Sequence, residues 1–158
     1  MDYLFSPWRY AFLSSAQPTT GCVFCELPDV GNDEKVLIVH RSRYCYVVLN
    51  AFPYTSGHAM VVPFEHVGQL SQLSSPAAQE IMELSRKLEA VLTELYHPEG
   101  INLGMNLGKA AGAGIAGHIH NHILPRWVAD ANFITVIGET RVLPEDLATT
   151  YKRMKAKF

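Results

Sequence analysis

Apolar positions along the chain fall into short β-like runs up to about residue 66 and change to helical spacing after residue 75. Val36 to Val39 and Tyr44 to Leu49 are β-branched or aromatic runs, and His58-Ala59-Met60-Val61-Val62 is a third, stopped by Pro63. The turn formers of Asn50-Ala51-Phe52-Pro53-Tyr54-Thr55-Ser56-Gly57 separate the second run from the third, so the three predict a meander. From Ser75 onward Ile81, Leu84, Leu88, Val91, Leu92 and Leu95 share one helical face, with Ser75 as the predicted cap and Pro76 at the first helical position. That helix is expected to end near His97-Pro98-Glu99-Gly100. Ile101 to Asn106 predicts a strand, Gly108 to Gly117 a loop of Gly and Ala, and His118 to Leu124 a further strand. Phe133 to Ile137 is a second apolar patch, and Pro144-Glu145-Asp146 opens a short C-terminal helix whose later turns are basic, as the helix dipole favours. Strands, one major helix and then more strands predict an α+β domain, with a mainly antiparallel sheet of about five strands, one long helix and a short C-terminal helix.

With 158 residues, 48% hydrophobic and 18% charged, the chain suits one core. We read residues 1–158 as one domain, with 1–20 as an N-terminal arm rich in aromatics and 127–158 as a C-terminal extension. Lys and Arg number 13 against 15 Asp and Glu, a formal charge of -2, so no basic field exists to hold a nucleic-acid backbone and a small ligand is expected instead. The chain lacks an apolar run near the roughly 20 residues that a membrane span needs, and MDYLFSPWRYAF does not read as a signal peptide. A cytoplasmic protein is expected. Two residues separate Cys22 from Cys25, a spacing that in a reducing compartment points to metal or redox chemistry, while Cys45 sits in an apolar run and reads as core.

The stretch His118-Ile119-His120-Asn121-His122-Ile123-Leu124 carries the most chemistry. On a strand, alternate side chains share a face at intervals of roughly 7 Å, so residues 118, 120 and 122 line up together. Packing explains three such imidazoles poorly, because each neutral ring needs partners for two nitrogens and charged rings repel. Crowding is expected to keep at least one neutral near pH 7, and a neutral imidazole is both a metal ligand and a nucleophile. The preceding loop, with Gly112, Gly114 and Gly117 among alanines, lets backbone N–H groups approach an anion and reads, beside these histidines, as a phosphate cradle. On its own it would be only a flexible connection.

With His118, His120 and His122 running into Ile123-Leu124-Pro125-Arg126, the chain resembles the histidine-triad family. Asn50, Pro53, Gly57, His58, Pro63 and His66 resemble that family's nucleotide-binding strand-turn-strand, and the likeness spans roughly residues 20 to 126. Pro125-Arg126-Trp127, with Asp130, Asn132 and Phe133, resembles the bacterial branch of diadenosine tetraphosphate phosphorylases and hydrolases. The resemblance implies that His120 takes the nucleotidyl group as nucleophile, with His122 and His58 beside the α-phosphate oxygens. It implies backbone contacts from Gly112, Gly114 and Ile115, and polar contacts to the nucleotide from Asn50, at the ribose, and Asn106. It also implies a homodimer. Ile115 stands where much of the family has a Ser or Thr, so a hydroxyl role there is lost, and the loop is one residue longer than in the eukaryotic branches. No catalytic cofactor is required.

Cys22-x-x-Cys25 has the knuckle spacing of a tetrahedral zinc site but supplies only two ligands. Within the resemblance, His66 and His118 complete the set and imply a structural zinc; the bland alternative is a pair of reduced, half-buried thiols. His40 and His97 read as solvated turn residues, Trp127 as core in preference to a base-stacking residue, and Lys152 to Lys157 as a solvated helix end. Alternatives to a diadenosine polyphosphate enzyme are a nucleoside phosphoramidate hydrolase, a nucleotide-binding signalling module and a zinc hydrolase.

Overall fold

Five strands form one open sheet in the computed structural model, which describes residues 21–131, 133–137 and 143–158. They are β1 (Ile38–Arg41), β2 (Cys45–Leu49), β3 (Ala59–Pro63), β4 (Gly100–Met105) and β5 (Asn121–Arg126), ordered β1-β2-β3-β5-β4 with each neighbouring pair antiparallel. Among the described residues the α-helices are α1 (Val23–Glu26), α2 (Ser75–Tyr96), α3 (Phe133–Val136) and α4 (Leu147–Lys155). The α+β class, the mainly antiparallel sheet, the long helix and the short C-terminal helix are all as the sequence predicts. The N-terminal arm and Asn132 lie outside the described residues.

Both faces of the central strands are buried, which explains why β2 and β3 read as continuous apolar runs. Val39, Val47, Leu49, Val61 and Ile123 pack toward α2 and α4, meeting Leu84, Leu88, Leu92, Tyr151 and Met154. Ile38, Tyr46, Val48, Met60 and Val62 face the other way and pack with Phe24 of α1. The β1–β2 connection is tied to α2 by the Glu80 carboxylate, which accepts from the Ser42 hydroxyl at 2.8 Å and from the backbone N–H groups of Tyr44 and Cys45 at 2.7 and 2.6 Å. Cys45 is fully buried, and burial pushes its thiol up to about 12.

Several predicted boundaries move, each for a local reason. The first strand begins at Ile38, not Val36, because turn hydrogen bonds run on to Leu37 (N–H to Glu34 O, 3.3 Å) and Ile38 (N–H to Asp33 O, 2.9 Å). His40 therefore lies within β1, half-buried, with its ring 5.0 Å from that of Phe158, and is not a solvated turn residue. Ser74, not Ser75, caps α2, accepting from the Ala77 N–H at 3.4 Å and held in turn by the Glu65 carboxylate, so Pro76 occupies the second helical position. The fourth strand starts at Gly100, and β5 starts at Asn121 instead of His118, because Ile119 N–H turns to Val67 O at 2.8 Å rather than to β3. Asp146 caps α4 through the Thr149 N–H at 2.7 Å, as its place before the helix implies. The basic end of α4 is not simply solvated: Arg153 pairs with Glu145 at 3.0 Å and lies over the Tyr96 ring. Trp127 is half-buried rather than closed in the core.

Candidate active site

Alternation survives the late start of β5. Ile119 and Ile123 point into the core under α2, and Asn121 donates from Nδ2 to the Ser85 hydroxyl of α2 at 3.0 Å. His118, His120 and His122 consequently share the opposite face. There the ring of His120 lies 4.8 Å from those of His122 and Phe24, and His122 pairs across the sheet with Met60. His58, at the entry to β3, joins them with its ring 5.1 Å from His122.

Backbone groups decide which ring nitrogens carry protons, because a carbonyl can only accept and a peptide N–H can only donate. His118 Nε2 donates to the Pro63 carbonyl at 2.8 Å, leaving its Nδ1 with a lone pair. His120 Nδ1 donates to the His118 carbonyl at 2.9 Å, leaving its Nε2 with the lone pair. His58 is the reverse case: its Nδ1 receives the Tyr54 peptide N–H at 3.2 Å and lies 3.3 Å from Asn50 Nδ2, while its Nε2 lies 2.9 Å from His122 Nδ1. Burial, aided by the neighbouring His122 and His120, holds His58 down to about 3. Burial, followed by His120, holds His122 down to about 4, and burial also lowers His118 and His120. These rings are neutral at pH 7, and burial contributes more to this than the crowding that the sequence points to.

The structure also brings Cys22, Cys25, His66 and His118 together. Their donor atoms all lie within 4.8 Å of one another, with His118 Nδ1 3.4 Å from Cys22 Sγ and 3.5 Å from Cys25 Sγ, and His66 Nδ1 3.3 Å from Cys25 Sγ. The Pro63 carbonyl fixes the His118 tautomer so that a lone pair faces the thiols, which is how a metal-binding histidine is oriented from behind. Two thiols and two imidazoles converging in this way fit a tetrahedral zinc.

The Gly/Ala loop divides into two parts. Gly108 and Gly112 have φ of 86° and 92°, and a 3-10 turn over Lys109–Ala111 lies between them. The Gly112 and Ala113 amides are satisfied within the loop, by Lys109 O at 3.0 Å and Gly108 O at 3.3 Å. Gly112 therefore shapes the turn, and of the expected amides those of Gly114 and Ile115 have no acceptor among the described residues. Ile115 packs on the Phe24 cluster, bringing the loop to the histidine face, and Asn106 lies against Gly112, where a Cβ would stand 3.9 Å from its Nδ2. Asn50 accepts the Phe52 N–H on Oδ1 at 2.9 Å while its Nδ2 faces His58, so it braces its own turn.

Sequence reasoning overlooked Phe24, whose place inside the Cys22–Cys25 knuckle is the available signal, and Gly68, where a Cβ would meet Ala116 O at 3.0 Å. Tyr54 and the Ser85–Asn121 pair were missed as well; their roles arise only when distant segments meet.

Residues 32–128 match the HIT domain. Over its whole length the chain is 38% identical to AP-4-A phosphorylase of Mycobacterium tuberculosis, covering 85% of that protein. Over 57% of its length it is 30% identical to bis(5'-adenosyl)-triphosphatase of Saccharomyces cerevisiae, of which it covers 44%. The structure of a Zn-bound histidine triad family protein from Mycobacterium smegmatis shares the fold, with a TM-score of 0.70 and 24% identity over 87% of this chain and 92% of that one. The chain belongs to the HIT, or histidine-triad, family.

Proposed function

We propose that the chain cleaves the α-phosphate linkage of adenine nucleotides such as diadenosine tetraphosphate, by way of a nucleotidyl-histidine on His120. The observation that carries this reading is the His118 carbonyl on His120 Nδ1, which leaves a neutral imidazole with its Nε2 lone pair free on the histidine face. In the first step an Nε2–P bond forms at the α-phosphorus, and the bridging P–O bond breaks with its electron pair leaving on the departing nucleotide. The positive charge on the imidazole is shared with Nδ1–H and its carbonyl acceptor. In the second step an oxygen of inorganic phosphate or water attacks the same phosphorus, any proton on that oxygen passes to solvent, and the P–N bond breaks to return the pair to Nε2. His122 and the amides of Gly114 and Ile115 stabilise charge on the phosphoryl oxygens, and Asn106 offers a polar contact to the nucleotide. The full-length likeness to a protein named AP-4-A phosphorylase favours phosphate over water as the acceptor.

Cys22, Cys25, His66 and His118 hold a structural zinc in this reading, the thiols as thiolates. A bound zinc would supply a cross-link between the α1 segment and the strand of the triad, not chemistry at phosphorus. We also place a second copy of the chain at β4, which among the described residues is an edge strand paired only with β5 and carries Leu103 48% exposed, as a homodimer interface. Light scattering that gives a monomer contradicts this part. We place the enzyme in the cytoplasm; no helix of the described residues is long and apolar enough to cross a membrane.

Product analysis tests the reaction. Diadenosine tetraphosphate with inorganic phosphate is expected to give ADP and ATP; AMP and ATP would assign hydrolysis at the same site, and no cleavage of any adenylate linkage would overturn the proposal.

A further inference from the structure

His58 is only 1% exposed, and both of its ring nitrogens are occupied within the protein, so it has no atom left for a phosphate. Its partners nonetheless form a directed chain. The Tyr54 peptide N–H can only donate, so Nδ1 of His58 accepts and the ring proton sits on Nε2. That proton points at His122 Nδ1, 2.9 Å away, which must accept. The proton of His122 is then on Nε2. We infer that His58, held by the Asn50–Tyr54 turn, is a positioning residue that locks His122 as a hydrogen-bond donor through Nε2, opposite in polarity to His120.

The lock gives two chemically identical rings, 4.8 Å apart, different faces toward a substrate. His120 is fixed by an acceptor, the His118 carbonyl, and presents a lone pair. His122 is fixed through His58 by a donor, the Tyr54 amide, and presents an N–H. Without the lock, a His122 turned to its other tautomer would aim a second lone pair at the phosphoryl oxygens and repel them. As a neutral donor it stabilises developing charge without giving up its proton. Asn50 serves the same end from the side: its Oδ1 holds the Phe52 N–H, which keeps its Nδ2 aimed at His58 Nδ1. The ring of Tyr54, 4.7 Å from His58, closes the turn over it. What His122 donates to rests on the function proposed above; the tautomer itself does not.

Long-range 15N–1H NMR on histidine-labelled protein reads the tautomers directly, without substrate. We expect wild-type His58 and His122 to be protonated on Nε2 and His120 on Nδ1. His58→Gln places an amide donor where Nε2–H stood and is expected to keep His122 protonated on Nε2. His58→Glu has the same shape and, once ionised, can only accept, so above the pH at which its carboxyl titrates it is expected to draw a proton onto His122 Nδ1 and to lower kcat about 10²-fold relative to His58→Gln, the usual cost of one donor at a developing anion. A purely structural role treats the two alike. A wild-type His122 protonated on Nδ1, or one tautomer shared by both variants, overturns the lock; if the Glu variant does not fold, the wild-type and Gln spectra decide. The expected tautomers in a protein that cleaves no adenylate linkage would leave the lock standing and remove the proposed function instead.

Discussion

The ring of Phe24 lies 4.8 Å from that of His120 at a 45° tilt, and Phe24 itself sits between the two cysteines that face His118. The knuckle and the proposed nucleophile thus share one wall. If zinc holds the knuckle, purified protein should carry about one zinc per chain, and Cys22→Ser should lose the metal and part of the stability. A metal-free protein with an unchanged unfolding midpoint would contradict the zinc assignment. Phe24→Ala should cost about 3 kcal/mol or more by denaturant unfolding, since the side chain is buried against the second face of the sheet.

Acid should destabilise the fold earlier than ordinary carboxylate titration does. In the unfolded chain histidines protonate near their ordinary 6.5, whereas burial keeps native His58 and His122 neutral down to about 3 and about 4. Between these limits the unfolded state binds more protons, so stability rises with pH across the window and levels off above about 7. Burial moves His118 and His120 the same way. Unfolding free energies that stay flat from pH 7 to 4.5 would contradict the buried neutral cluster.

Gly57 has a φ of 80°, and a Cβ on it would stand 3.0 Å from both Leu92 and Tyr96. Gly31, with a φ of 71°, has open space around it. Gly57→Ala should therefore cost about 2 to 4 kcal/mol, strain plus crowding, against about 1 kcal/mol for Gly31→Ala. Because residue 57 delivers His58, only the first substitution should also lower turnover. Equal costs in thermal or denaturant unfolding would show that the α2 contact does not matter.

The Ser85–Asn121 bond lies in the core directly beneath the triad face. Ser85→Ala leaves the Asn121 amide without this acceptor and should cost about 1 to 3 kcal/mol. Asn121→Leu should be milder, because Ser85 keeps its own bond to the Ile81 carbonyl at 2.6 Å. Adding Asn121→Leu to Ser85→Ala should recover part of the loss, with a coupling of about 1 kcal/mol in a double-mutant cycle. Strict additivity would contradict the pairing.

The triad's common face was legible in the sequence because the parity of side chains along an extended backbone follows from covalent geometry alone. The boundaries of its strand were not, since β5 begins where the Val67 carbonyl releases the chain to β3, a contact across about fifty residues. The choice between adjacent Ser74 and Ser75 as cap was likewise made at a distance, by Glu65. The Gly/Ala composition pointed to a tight loop, but composition says nothing of which amide has a partner, and Gly112 turned out to satisfy its own. His58 was legible as a member of the cluster; that its two nitrogens are both taken depends on Tyr54 and His122, which only the fold brings to it.

The proposed reaction stands on a covalent bond between His120 Nε2 and the α-phosphorus. Intact-mass measurement after brief mixing with diadenosine tetraphosphate, in the absence of inorganic phosphate, tests it most directly. An adenylyl adduct is expected on the wild-type chain, localised to His120, and none on His120→Ala, whose turnover falls at least about 10³-fold while nucleotide binding persists. An adduct of equal yield on His120→Ala, or full turnover by that variant, would contradict it.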